Sequence, residues 1–438
     1  MANFSDDDFA GTLVPESQRR SWQSIFAATL GVGTALFFAQ ITSIITRQSG
    51  VGVALLSVVY GFVVSAFIGV LISRLSIKSG CGTNILAKAA LGHRGAALFS
   101  ILYGTACLTY FVAEAGIIGA SLRSLLPQIS NTVLLPSVVL CMLPLVWVGM
   151  RAISAFQKFS IIIYGGLLTA AIYVTVGGHS GSPSVGIFRG DTIVGLASAI
   201  SMMNGVAFVV GLLTADYARF IKRDQLSAGT IAIGIVFPAF CYGVTGIAGI
   251  WFAAQLGESN PGVYFVQILG SVGGIVFTCA TQLRTNISNM YSGTLAFVNA
   301  FERALNIRMS RRLVTVLFAA VASLILVSDA TELLQKTLGV LGIFTAAFVC
   351  VLLIESYLPN TSRYRAASPN FEGMIEPCHW SNLLSVIVAT GIGIAVDRGV
   401  LGPSLSALAI PTTIAAPLFW YVGSCLLKSP ARRTELLD

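Results

Sequence analysis

Charge is what this sequence has least of. Only 10% of its 438 residues are Asp, Glu, Lys or Arg, against roughly a quarter in soluble domains. With 55% hydrophobic residues, the composition excludes a soluble globular protein and points to an all-α, multi-pass integral membrane protein. Histidine is also scarce. His93, His179 and His379 lie far apart in loops, which leaves no zinc or haem pattern. Eight cysteines form no CxxC pair and no even ladder. Cys107, Cys141, Cys241, Cys279, Cys350 and Cys425 sit in apolar runs and read as small packing residues, not disulfides or metal ligands. There is no HExxH, no GxSxG, no pair of membrane aspartates and no phosphate-cradling glycine loop, so nothing speaks for an enzyme. The acidic start (Asp6, Asp7, Asp8) has no basic n-region before an apolar stretch, and no cleavable signal peptide is expected. The net charge of +8 is no nucleic-acid signal, because the basic residues follow the loops. The expected partners are the bilayer and a small molecule. No cofactor or metal is expected, and the chain is taken as a monomer.

What is present is a series of apolar runs. A hydrocarbon core of about 30 Å needs roughly 20 apolar residues per helix. Such runs fall near 25–47, 51–73, 96–121, 132–150, 157–177, 191–214, 229–253, 272–300, 313–328, 338–358, 382–397 and 404–427, which makes about twelve spans. The stretch 262–301 would measure about 60 Å as one helix, twice the core. It is therefore divided into a surface helix near 261–270 and a span. With the N-terminus inside, twenty of the 26 Lys and Arg fall on the cytoplasmic side and five outside. Arg284 is the one left over. This bias places both termini in the cytoplasm, across a cell (inner) membrane.

Five spans make an odd unit, so a second copy of it must be inverted. Inverted repeats build many secondary transporters, with the site at midplane between Gly-interrupted helices. Span 1 has Gly31 and Gly33 before Phe37, Phe38 and Gln40, and span 6 has Asn204, Gly205 and Gly211. The expected organisation is a tail (1–23), a first repeat (24–177), an inverted second repeat (191–358), two C-terminal helices (380–427) and a tail (428–438), with spans 1 and 6 broken. Close helix packing is the alternative use of those glycines.

Polar residues inside a span are costly and mark a substrate or ion path. Residues 279–301 carry Gln282, Arg284, Thr285, Asn286, Ser288 and Asn289 within apolar sequence. Span 3 carries Tyr110 and Glu114 four apart, on one helix face. A mid-span carboxyl must be protonated or paired. Arg284 or a ligand with N–H donors is its expected partner, and a helix-fixing Glu–Arg pair is the structural alternative. Phe37, Phe38, Tyr110 and Phe208 are candidates to stack on a flat ligand, or to pack. Asp191 suits the N-cap of span 6. Asp216, Glu302 and Glu355 are expected to pair near the membrane surface with Arg219, Arg303 and Arg363.

Four places resemble the nucleobase:cation symporter-1 family, which includes the cytosine permeases. They are Val14–Arg19 (VPESQR), the loop Gly82–Gly95 (GTNILAK…GHRG), Leu213–Phe220 (LTADYARF), and the stretch holding Thr285, Asn286 and Tyr291. The resemblance implies a five-plus-five inverted-repeat fold of the LeuT type with two additional helices. It also implies uptake of a nucleobase or related heterocycle with a cation, the ligand lying between spans 1, 3, 6 and 8. On that pattern Phe38, Gln40, Tyr110, Glu114, Asn204, Phe208, Asn286 and Asn289 are the substrate-binding candidates. Glu114, Arg284 and Thr285 are the coupling candidates. Two departures bear on mechanism. Glu114 stands where relatives often have Gln, and a carboxylate accepts two N–H bonds and can titrate. Arg284 neighbours a position that binds sodium in sodium-coupled members, and a guanidinium cannot ligate sodium. Proton coupling, or at least sodium independence, is therefore expected. An amine, amino-acid or vitamin-precursor transporter on the same fold is the rival reading, and a channel the more distant one.

Overall fold

The computed structural model describes residues 12–148, 150–178, 184–328, 331–358 and 377–427. The helices run α1 (Trp22–Gly33), α2 (Leu36–Ser49), α3 (Val51–Ser79), α4 (Thr83–Leu122), α5 (Asn131–Val148), α6 (Met150–Gly178) and α7 (Thr192–Ala218). Then come α8 (Arg223–Leu256), α9 (Pro261–Leu305), α10 (Arg311–Val327), α11 (Thr331–Tyr357), α12 (Trp380–Asp397) and α13 (Ala409–Leu427). Among the described residues nine helices are long and apolar enough to cross a membrane, and ten if α1 and α2, bent by 43°, count as one span. α5 and α10, helices of 18 and 17 residues, occupy the places of the two remaining expected spans. Residues 1–11, 428–438 and 359–376, the last of which hold Arg363, lie outside the described residues.

The first span breaks as expected. Thr34 and Ala35 interrupt it, with Ala35 extended. The sixth does not. α7 is continuous through Asn204, Gly205 and Gly211. Its glycines serve close approach instead: a Cβ on Gly205 would lie 2.3 Å from the Leu338 carbonyl oxygen, and one on Gly211 2.8 Å from Ile68. The irregular backbone falls in α8, where Ala232–Val236 and Phe240–Gly246 are π-helical.

The division of 261–301 is observed. Gly270 (φ 73°, ψ 167°) separates residues 261–269 from the long part of α9. The stretch Gly82–Gly95, expected as a loop, is helical. Residues 83–91 form a short helix that Gly92 (φ 80°, ψ 171°) separates from the long part of α4. A positive φ of this kind is open to glycine at little cost. The two halves of the chain thus carry the same device, a short helix of equal length ahead of a glycine in nearly the same conformation.

Three of the motifs meet at one end of the bundle. Val14 N donates to Gly80 O (3.1 Å), Arg20 N to Phe220 O (2.7 Å) and Lys222 N to Arg20 O (3.1 Å). The buried Arg19 guanidinium reaches Ile77 O (2.5 Å) and Glu16 (3.4 Å). Burial lowers its pKa, with Glu16 opposing. Asp216 accepts from Thr83 N (2.9 Å), at the start of the short helix. Glu302 pairs with Arg308 (3.4 Å), and Glu355 accepts from Asn382 (2.9 Å). Arg219 Nε also donates to the Asp216 backbone carbonyl (3.2 Å), and Glu302 lies close enough to Arg303 to stabilise its charge. Asp191 caps α7 through Ile193 N and Val194 N.

Close packing of α2 against α8 rests on Gly249, where a Cβ would lie 2.4 Å from Ala39 O. Gly249→Ala is expected to destabilise by about 1–3 kcal/mol, as overpacking does. Gly243→Ala, with nothing within 4 Å of its Cβ, is expected to be neutral or mildly stabilising. Thermal midpoints of the purified protein in detergent measure both.

Candidate functional site

α2, α4, α7 and α9 converge on a small cavity of about 70 Å³. Phe37, Phe38, Tyr110, Glu114, Thr285 and Asn289 line it, together with Val206, Val209, Val210 and Leu213 of α7. Tyr110 and Glu114 share the cavity face, as their spacing requires. The Tyr110 hydroxyl donates to Gly205 O (2.6 Å), which ties α4 to α7. Its ring stands 4.9 Å from Phe37. Phe38 is set edge-on to Tyr242 at 5.7 Å.

The Glu114 carboxyl is buried, and amides of α9 meet it. Asn289 Nδ2 donates to Oε2 at 3.3 Å. With its nitrogen facing the acceptors, the Asn286 amide donates to the same oxygen (3.1 Å) and to Phe111 O (3.2 Å), and accepts from Ala115 N (3.0 Å). Asn286 thus straddles a turn of α4 while holding the carboxyl. About two turns earlier on the same face, Thr278 donates to Ser121 Oγ (2.7 Å). The two helices share a polar seam, and Glu114 is its one acid.

Arg284 takes a different place. It is 2% exposed, and its Nη2 donates to Thr34 Oγ1 at 2.6 Å, inside the break of the first span. The guanidinium lies so close to Gly31 that a Cβ there would sit 3.0 Å from Cζ. Thr34 Oγ1 in turn donates to Gly31 O (2.8 Å), and Thr245 Oγ1 to Gly33 O (2.8 Å). Carbonyls exposed by the break are therefore engaged by hydroxyls. Thr285, beside Arg284, donates to Thr281 O (3.1 Å) while facing the cavity.

Three candidates are placed elsewhere. Asn204 accepts from the Tyr60 hydroxyl (2.5 Å) and abuts Gly342. Phe208 is buried in the core cluster that also contains Phe344 and Phe348. In a continuous helix, residues 206, 209, 210 and 213 share one face, and 208 points away from it. Gln40 lines a second cavity of about 490 Å³ with Ala113, Gly116 and Arg123. Its buried Oε1 has no hydrogen-bond partner among the described residues, and neither amide atom of Gln282 has one. Sequence reasoning did not find Thr34 or the valines of α7, and it named Gly31 for the break alone and not as a neighbour of Arg284. A hydroxyl beside two glycines at an expected break was the available signal for Thr34.

A membrane-embedded helical fold with a bent first span and a polar centre at the meeting of four helices is that of a secondary transporter. The chain matches the inward-facing conformation of Mhp1 with a TM-score of 0.75, at 16% identity, over 94% of this chain and 92% of that one. It matches Mhp1, a nucleobase-cation-symport-1 family transporter, in a closed conformation with bromovinylhydantoin bound, with a TM-score of 0.71, at 14% identity, over 95% and 96%. Residues 13–420 match the family described as permeases for cytosine/purines, uracil, thiamine and allantoin, and the chain belongs to that family. Cytosine permease of Escherichia coli K12 is 22% identical over 412 residues, which cover 92% of this chain and 94% of the relative. The chain is a transporter and not an enzyme.

Thr34 and Arg284 are expected to be energetically coupled. Thr34→Val removes one acceptor from a buried guanidinium and should cost on the order of 1–3 kcal/mol. In the double variant Thr34→Val/Arg284→Met the loss should be smaller than the sum of the single losses. Unfolding midpoints of the four proteins provide the cycle, and simple additivity would contradict the coupling.

Proposed function

We propose that this transporter imports a nucleobase or related planar heterocycle by alternating access, coupled to protons and independent of sodium. Glu114 is the observation that carries the reading. It is a buried carboxyl at the wall of the cavity, held by two amides. A carboxylate accepts the adjacent N–H donors of a base edge, and it can release or take a proton as those bonds exchange. Asn286 and Asn289 keep it oriented when no ligand is present. Phe37, Phe38 and Tyr110 supply the flat apolar walls. Names among the relatives support the ligand class: the family description includes cytosine, purines and uracil.

The cavity, at about 70 Å³, is well below the roughly 300 Å³ typical of ligand pockets. Binding must therefore enlarge it. The Tyr110–Gly205 hydrogen bond and the Tyr110–Phe37 contact are the links to release, since they join α4 to α7 and α2 across the cavity. A ligand that binds better once they re-form around it drives occlusion by that difference in affinity. α1–α3, α7 and α8 would then rock against α4, α5, α9 and α10, in a monomer with both termini in the cytoplasm.

The sodium argument rests on Arg284. Its guanidinium fills the break of the first span, and hydroxyls engage Gly31 O and Gly33 O. A fixed positive charge there repels a second cation, at roughly 4 kcal/mol for 4 Å at an effective dielectric constant of 20.

Uptake of labelled cytosine, a purine, uracil, thiamine and allantoin into proteoliposomes tests the reading. One of the heterocycles should accumulate under an inward pH gradient, with no dependence on sodium. A steep sodium requirement without a pH response would refute the coupling. Glu114→Gln should abolish pH-gradient stimulation while leaving measurable exchange. A thermal-shift screen in which only amines or amino acids stabilise the protein would favour the rival substrate class.

A further inference from the structure

The motif containing Lys88 and His93 takes no part in the central site. It forms one wall of a separate cavity of about 450 Å³, at the end of the bundle that the charge bias assigns to the cytoplasm. There the short helix of α4 crosses the last turns of α9. Lys88 and His93 come from α4, and Asn299, Glu302, Arg303 and Asn306 from α9 and its cap. The one acid in the lining, Glu302, pairs outward with Arg308 at 3.4 Å and also faces Arg303 and His93, so it stands against two permanent cations, Lys88 and Arg303. Arg303 is anchored from behind through its Nη1 and Ser100 Oγ (3.3 Å). The lining is therefore cationic and rich in N–H donors, which is the donor set of a phosphate site. Arg308, Arg311 and Arg312 follow directly in the chain. Arg311 is fixed over the Tyr291 ring at 3.8 Å.

We infer that this cavity binds a phosphate-bearing anion, and that the headgroup of an anionic lipid in the inner leaflet is its natural source. Basic pockets between membrane helices on the cytoplasmic side suit such headgroups. Leu295, on the same wall, gives the adjoining glycerol an apolar contact. The bound phosphate joins α4 to α9 at the end opposite the Thr278–Ser121 contact.

The test reads lipid retention and not transport, so it stands apart from the substrate reading. The intact protein is purified from membranes, reconstituted with phosphatidylglycerol or phosphatidylcholine, and analysed by native mass spectrometry. One phosphatidylglycerol should survive delipidation in the wild type. In Lys88→Gln/Arg303→Gln its retention should fall by on the order of tenfold or more. Lys78→Gln/Lys222→Gln removes the same charge from exposed positions elsewhere on that end, and should retain the lipid. Equal loss in both double variants means diffuse surface attraction and overturns the site. Should Arg303→Gln fail to fold, Lys88→Gln/His93→Gln leaves the Ser100 contact intact and carries the same expectation. Glycerol 3-phosphate forms a second arm. If it alone raises the wild-type thermal midpoint and the Lys88/Arg303 variant does not respond, the phosphate site stands with a soluble source. No lipid retention together with no response to glycerol phosphate overturns it.

Discussion

A guanidinium buried in the break of a membrane span is the constraint on which this structure depends. Breaking a helix inside a bilayer frees carbonyl and N–H groups where no water can meet them. Here the freed groups are met by side chains from three directions. Thr34 turns back to Gly31 O, Thr245 of α8 reaches Gly33 O, and Arg284 of α9 holds Thr34. Tyr164 of α6 extends the chain to Thr245 at 2.8 Å. Four spans are thereby pinned to one break. A charged group at membrane depth costs several kcal/mol or more, and this arrangement offsets that cost with hydrogen bonds that the break itself requires. Gly31 lets the guanidinium lie close, since even a Cβ there would sit 3.0 Å from Cζ and press it aside.

The second determinant is the seam between α4 and α9. Its contacts are side chain to side chain or side chain to backbone, from Thr278–Ser121 to Asn286 across Phe111 and Ala115. Such contacts fix register as well as distance. Backbone approach at the outer end is closer still: a Cβ on Gly262 would lie 2.1 Å from Ile117 O. The opposite wall of the cavity is different in kind. It meets α4 through one tyrosine hydroxyl and through aromatic and valine surfaces. Apolar contacts are not directional, so this wall can shift against the seam with little loss, and the seam cannot.

Much of the architecture was legible in the sequence because it follows from lengths. A run twice the thickness of the bilayer had to be divided, and Gly270 divides it. The excess of arginine in alternate loops ordered the spans. Arg284 stood out because no surface could be found for it. What was not legible depended on phase and on partners. Asn204 is two residues from Val206 and Phe208 one from Val209, and in a continuous helix that rotation carries them away. The stretch Gly82–Gly95 read as a loop from its glycines and polar residues, yet nine of its residues make a helix whose only unusual backbone is at Gly92. Thr34 and Asn286 acquire their roles from atoms more than a hundred residues distant, which no local pattern encodes.

The two ionisable groups of the centre show how these constraints divide the labour. Arg284 remains charged under all ordinary conditions, and its environment is structural: a hydroxyl, a glycine and an occupied break. Glu114 is the group able to change protonation, and it is placed at the cavity wall. Its partners there are amides, which tolerate either form because each presents both a donor and an acceptor. Exchanging the two would fail on both counts. A carboxylate in the break would meet carbonyl oxygens, and an arginine at the cavity wall could not change its protonation. The permanent charge sits in the break of the first span, and the titratable one stands at the cavity wall.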